Sequence, residues 1–249
     1  MKLTIISIVL SLFLTGILCA QPESGSINYI VKHKWSKKIA AVDYISKSKR
    51  ERDDYVWGNV PEYEEKATLQ YDSMSYKYEE INDQSEYVGQ SWRESEYVIY
   101  RDIEQNKTYD LMRMFNKLYL IEDSIKYPQW RILNDMKEIA GHICMNAQYR
   151  DTIKQNNIVA WFALDWPLNF GPEHYGGLPG VILEINMNNG AKVIRADTII
   201  ATEPNRIIEK PKHKKRIKNI TQAEYNQLIL DYMDECIKEE RPYFWGLRY

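Results

Sequence analysis

The sequence predicts an α+β fold: one mostly antiparallel β-sheet with a single C-terminal amphipathic helix packed on it. Short runs of alternating apolar and polar residues recur through most of the chain, separated by turn signals. Only one stretch, near the C-terminus, carries apolar residues at spacings of three and four. The 19 tyrosines and seven tryptophans suit pleated, half-buried surfaces, where their first role is core and cross-strand packing.

The elements follow in order. Ser26 to Val31 is a first strand, and the polar, lysine-rich segment from Trp35 to Asp54 has no period that assigns it. Lys66 to Glu79 alternates, with Ala67, Leu69 and Tyr71 opposite Thr68, Gln70 and Asp72. Tyr97 to Ile103 and Thr108 to Met114 flank Glu104-Gln105-Asn106-Lys107, which reads as a hairpin turn. A meander continues through Leu118 to Ile121, Trp130 to Leu133, Glu138 to Tyr149, Ile158 to Leu164, Val181 to Met187 and Lys192 to Ile200. Turns fall at Lys154-Gln155-Asn156-Asn157 and Asn188-Asn189-Gly190. Thr221-Gln222-Ala223-Glu224 has the form of a capping box, in which the Thr hydroxyl and the Glu carboxylate each satisfy a free backbone N–H. Tyr225, Leu228, Ile229, Tyr232, Met233 and Cys236 then mark the apolar face of a helix from Gln222 to about Lys238.

Residues 1–20 read as a secretory signal: Lys2 supplies the positive start, Leu3 to Leu14 the apolar core, and Leu18-Cys19-Ala20 a small-residue end. Cleavage after Ala20 leaves Gln21 first and residues 21–249 as one domain. A retained anchor is disfavoured because the apolar run is short for a bilayer and contains Ser and Thr. Lipid attachment at Cys19 is disfavoured by Leu18, where a small residue belongs. The formal net charge of −2 is too small to imply nucleic acid or a broadly anionic surface. A basic cluster nevertheless lies near residues 204–219, with Arg206, Lys210, Lys212, Lys214, Lys215, Arg216 and Lys218 around Pro204 and Pro211. It reads as a solvated linker, or as a peripheral contact for an acidic partner or anionic headgroups through Lys210 to Lys218. Once Cys19 leaves with the signal, Cys144 and Cys236 are the one pair open to a disulfide. A bridge closing that loop of about 90 residues would stabilise the fold by about 4 kcal/mol.

The densest local signal is Gly171-Pro172-Glu173-His174-Tyr175-Gly176-Gly177-Leu178-Pro179-Gly180. Six of its ten residues set the backbone, since glycine permits positive φ and proline fixes φ near −65°. Leu178, before a proline, should be extended. Pro179-Gly180 fits the centre of a type II turn, with positive φ at Gly180. The stretch reads as a shape-setting turn that delivers Val181 to Ile185 to the core, or as a ligand-binding loop in which Glu173, His174 and Tyr175 make the contacts. It is not a phosphate loop, because no Gly-Lys-Ser/Thr follows and a strand comes next.

Four blocks give a family resemblance. They are Trp130-Arg131-Ile132; Ile139-Ala140-Gly141-His142-Ile143-Cys144-Met145-Asn146-Ala147; Ala160-Trp161-Phe162 with Trp166-Pro167; and Gly171 to Ile185. In this order and spacing they resemble the GLPGLI family of exported Bacteroidota proteins. His142 stands where Tyr is usual, and Val181 replaces the Leu of the naming motif. The resemblance implies export, a periplasmic, outer-membrane-associated or extracellular setting and no known catalytic activity. By looser analogy such domains are similar to the curved half-barrel of periplasmic lipoprotein carriers, a sheet wrapping a helix. On the motif itself, Gly177, Leu178, Pro179, Gly180 and Trp161 join Glu173, His174 and Tyr175 as candidate binding positions.

Two further constellations bear on chemistry. His142 and Cys144, two apart on a strand, face one side and with His174 would offer a mixed metal-ligand set. Glu173-His174 resembles an acid/base pair, but no Gly-x-Ser-x-Gly elbow or catalytic cysteine signature accompanies it. The sequence therefore points to an exported cell-envelope protein that acts as a non-catalytic binding or interaction module for an apolar ligand or partner protein, without a cofactor. The other reading is an envelope enzyme or metal-handling protein using His142, Cys144 and His174.

Overall fold

The computed structural model describes residues 24–60, 62–81, 97–115, 117–201, 208–211 and 217–249. The signal segment, Cys19 and most of the basic cluster lie outside them. Twelve strands form one open, curved sheet. They are β1 (Gly25–His33), β2 (Tyr63–Tyr71), β3 (Ser75–Ile81), β4 (Tyr97–Asp102), β5 (Lys107–Met114), β6 (Lys117–Ser124), β7 (Arg131–Ile139), β8 (His142–Arg150), β9 (Asn157–Ala163), β10 (Ile182–Met187), β11 (Lys192–Ala201) and β12 (Lys218–Ile220).

The spatial order is β12-β6-β5-β4-β3-β2-β1-β11-β10-β9-β8-β7. Every pairing is antiparallel except the short β12–β6 pair. The first strand therefore lies inside the sheet and joins two meanders, β2 to β6 on one side and β7 to β11 on the other. Along β1 burial alternates with the pleat: Ile27, Tyr29 and Val31 enter the core, and a bulge at Asn28/Tyr29 shifts its register against β11. The open edge is β7, whose partly irregular pairing with β8 between Ile132 and Met136 and whose exposed charges blunt it against pairing with another chain.

Two predicted segments divide. Lys66 to Glu79 is broken at Asp72-Ser73-Met74, where Asp72 Oδ1 accepts from the main-chain N–H groups of Met74 and Ser75, making the β2–β3 turn. Glu138 to Tyr149 is broken at Ala140 and Gly141, both with positive φ (49° and 84°), making the tight β7–β8 hairpin. The unassigned lysine-rich segment forms two helices, α1 (Trp35–Ala40) and α2 (Lys47–Trp57). No residue of α2 is buried.

The helix near the C-terminus, α3 (Gln222–Glu239), has the expected capping box and buries Ile229, Met233 and Cys236 in the main core. Its end is marked by Glu240 in the left-handed region, and Arg241 N–H returns to the Cys236 carbonyl at 3.0 Å. The tail beyond it, through a 3₁₀ turn at Tyr243–Trp245, buries Tyr243, Phe244, Leu247 and Tyr249 against the same core. A second, small core lies elsewhere, where Tyr100, Tyr109 and Leu120 meet Ile208. Lys210, one of the basic cluster, places its Nζ over the Tyr109 ring there. Among the described residues no helix is long and apolar enough to cross a membrane.

Gly180 does not take the positive φ expected of a type II turn. A Cβ there would run into the carbonyl oxygen of Ala163, so the position requires glycine for close approach. Gly141, by contrast, has φ of 84° and open space around a Cβ. Gly180→Ala should therefore lower stability by about 2 kcal/mol or more, while Gly141→Ala should cost about 1 kcal/mol from backbone strain alone. Chemical denaturation of the two variants in parallel checks this, and equal midpoints would contradict it.

Candidate functional site

The motif loop runs between β9 and β10 and is fixed from both sides. Gly177 N–H donates to the Asn169 carbonyl at 2.8 Å, Val181 N–H to Trp166 at 3.1 Å, and Phe170 bridges Gly176. The indole of Trp130 donates to the Gly176 carbonyl at 2.8 Å. Glycines are needed at 176 and 177 because Cβ atoms there would meet the Tyr127 ring at 2.6 Å and its Cβ at 2.7 Å. Leu178 and Tyr175 are buried, the latter against Trp130, whereas Gly177 and Pro179 are exposed. The shape-setting reading of this stretch matches its geometry.

Within the loop, Glu173 is only 2% exposed, although it is a carboxylate and has a positive φ of 54°. Its Oε1 accepts from Lys192 Nζ at 2.5 Å and from Arg248 Nε and Nη2 at 3.1 and 2.9 Å. Lys192, fully buried at the start of β11, donates also to a main-chain oxygen of Tyr249 at 3.2 Å. Arg248 pairs in addition with Glu80 of β3 and lies 3.9 Å from the Tyr97 ring centre, and Lys154 holds its carbonyl at 2.8 Å. Burial pushes the Glu173 pKa up, but the Lys192 and Arg248 charges outweigh that and hold it well below the usual carboxylate range. Burial and the Arg248 charge bring Lys192 down to about 8, with Glu173 opposing. The loop carboxylate is thus committed to an internal ionic knot.

His174 is exposed, its ring 4.2 Å from that of Tyr175. Among the described residues no hydrogen bond joins it to Glu173, so the expected acid/base pair is not assembled. His142 lies elsewhere, at the β7–β8 hairpin, with Nδ1 3.0 Å from both Asp165 carboxylate oxygens and its ring stacked on Trp166. Cys144 beside it is fully buried, and burial pushes its thiol up to about 11. His142, Cys144 and His174 do not form a ligand set: among the described residues no three His, Cys, Asp or Glu side chains gather closely enough to hold a metal ion.

The Cys144–Cys236 bridge is likewise not formed. Cys144 faces the surroundings of Lys137, Asp165 and Glu184, whereas Cys236 lies on the buried face of α3 beside Tyr232, and both are free buried thiols. Trp161 stands on β9 with Lys137 Nζ 4.1 Å over its ring, and that lysine is paired with Glu184 at 2.7 Å.

Sequence reading missed a third group of residues. Trp35 stacks on Trp245 (5.3 Å, 21°), and Trp57 lies 6.1 Å from Trp35 and 5.2 Å from Trp245. Lys38, buried, places its ammonium 4.5 Å from the Trp35 ring centre. Trp57 and Trp245 stay 38% and 41% exposed, and the neighbouring Tyr55 is 84% exposed. Beside them, between α2 and the end of α3, runs an open groove of about 240 Å³ bordered by Trp245 and charged side chains. Trp35 in the lysine-rich segment, Trp57 just beyond it and Trp245 in the C-terminal tail were the available signal, but nothing local showed that they converge.

A curved antiparallel sheet with one covering helix and a pinned glycine-rich loop defines the structural class. Residues 149–184, from the end of β8 through the motif loop into β10, match a family described as a protein of unknown function (Porph_ging). Among curated proteins none matches the chain. Two solved structures of PNGF-II share the fold, one in space group C2 (TM-score 0.51) and one in P2₁ (TM-score 0.54), each at 13% identity over 83% of this chain. The chain spans about a third of the length of each, 32% and 33%.

Glu173→Gln would leave Lys192 buried without its counter-charge and Arg248 with Glu80 but not Glu173, at a cost of about 3–5 kcal/mol near neutral pH. Because the folded-state pKa of Glu173 is depressed, its contribution is complete above the unfolded carboxylate pKa and fades as pH falls through the folded value. The stability gap between wild type and variant should hold from pH 7 to about 5 and narrow in strong acid; urea midpoints across that range test it. Separately, iodoacetamide should leave both cysteines unlabelled in the native protein and label Cys144 and Cys236 after unfolding without reductant. Labelling that required reductant would show a bridge.

Proposed function

We propose that this is an exported, non-catalytic binding or interaction module of a Bacteroidota-type cell envelope, related to the GLPGLI proteins. The family assignment rests on the four blocks between Trp130 and Ile185, which overlap the matched residues 149–184. The observation that carries the binding reading is the part-exposed indole pair of Trp57 and Trp245, with Tyr55, Val56 and Val60 exposed close by in the chain. Isolated exposed apolar residues are ordinary, whereas indoles that pack on one another and still stay part exposed, as Trp57 and Trp245 do, mark a contact surface. The inner face of the sheet is less suited to an apolar ligand, because Tyr29, Tyr71, Tyr76, Tyr78 and Phe170 fill it as core.

The enzyme or metal-handling reading has less support. Glu173 is consumed by its ion pairs, the Cys144 thiol is deprotonated only in strong base, and His142 and His174 do not converge.

A photo-crosslinking residue at Tyr55 in the native host should give a discrete adduct in the envelope fraction, lost in Trp57→Ala and Trp245→Ala variants. The same residue placed at exposed Glu138 should give none. Equal adducts at both positions, or none at Tyr55, would overturn the binding surface.

A further inference from the structure

We infer that the groove between α2 and the C-terminal end of α3 binds a neutral sugar ring, an inference that rests on the aromatic patch being the binding surface. Its charged lining is balanced. Lys49, Arg52 and Asp53 of α2 on one side, and Glu239, Glu240 and Arg241 at and just past the end of α3 on the other, border about 240 Å³. Three cations and three anions sum to no net charge, so the groove as a whole favours neither an anion such as a phosphate headgroup nor a cation such as an amine.

A wholly apolar occupant is also disfavoured, because it would strip water from these groups without replacing their hydrogen bonds. What fits is an uncharged molecule with one apolar face and a rim of hydroxyl groups, which is the description of a pyranose. Trp245 supplies the apolar platform. It is part exposed yet fixed by stacking on Trp35 and by Trp57, so little side-chain freedom remains to be lost on binding.

The polar side divides into committed and available groups. Arg241 is held by Glu235, Glu239 and Tyr232, Lys49 donates to the Glu239 carbonyl at 2.9 Å, and Glu240 accepts from Ser46 at 3.1 Å. These contacts make the wall rigid. Arg52 and Asp53, adjacent on α2, have no intramolecular partner among the described residues. Consecutive positions on a helix diverge by about 100°, so the two stand in the groove as separate groups, a guanidinium that donates and a carboxylate that accepts, each open to a sugar hydroxyl. The groove volume suits one ring rather than a long chain, which is small beside the pockets of about 300–1,000 Å³ that hold drug-sized ligands.

The test is tryptophan fluorescence and proton NMR of the full chain titrated with methyl glycosides of glucose, mannose, galactose and N-acetylglucosamine. At least one should bind saturably, with Kd on the order of 1–10 mM for a single-ring contact. The affinity should change less than twofold between 50 and 500 mM salt, since the ligand carries no charge. Asp53→Asn, on an exposed helix, and Trp245→Ala should each weaken binding tenfold or more with unchanged circular dichroism. Should Trp245→Ala fail to fold, Asp53→Asn and Arg52→Gln decide the matter. No saturable response to any glycoside up to about 100 mM, or wild-type affinity in Asp53→Asn, would overturn the sugar assignment. If Tyr55 still crosslinks to a partner in that case, the binding surface stands and only its ligand changes; if both experiments fail, both readings fall.

Discussion

One buried carboxylate holds together parts of the chain that otherwise share no element. Glu173 brings the loop between β9 and β10, the start of β11 and the tail after α3 to a single oxygen, and Arg248 extends the connection to Glu80 on β3. Each charge is costly to bury alone, and only their mutual hydrogen bonds make the arrangement tolerable. That requirement explains why a non-glycine residue accepts a left-handed backbone at 173: the strain is small beside the penalty of leaving Lys192 dry and unpaired. It also explains the crowding of glycines around it, since the loop must lie flat on Tyr127 and on β9 for the carboxylate to reach inward.

Local chemistry was legible in the sequence and distant chemistry was not. The capping box at Thr221 and Glu224, the alternation of β1 and the turn at Asn188 to Gly190 depend on neighbours within a few residues, and they appear as read. The hairpin at Ala140-Gly141 was hidden because alanine is not a turn-forming residue, and its positive φ is imposed by the pairing of β7 with β8. Gly180 was assigned the right residue for the wrong reason, a dihedral requirement where the actual demand is the nearness of Ala163.

The candidate site shows the same division more sharply. Glu173 and His174 are adjacent in sequence and were read together, yet one turns into the core and the other to solvent. The partners that decide the role of Glu173 lie 19 and 75 residues further along. The helix α2 was unassigned because it has no buried face to give it a period; it is docked by long-range contacts, Lys49 to the Glu239 carbonyl and Ser46 to Glu240. Trp57 and Trp245 therefore meet only once the tail has folded back.

The position of β1 has a kinetic side. The strand made first must wait for β11, the partner of its other edge, while β2 to β6 can zip against its near edge through short hairpins. Closing so long a loop is entropically slow. Until it closes, the far edge of β1 and the apolar faces of Ile27, Tyr29 and Val31 stand uncovered. A partly folded chain of this kind is more vulnerable to aggregation than a fold with sequential strand order.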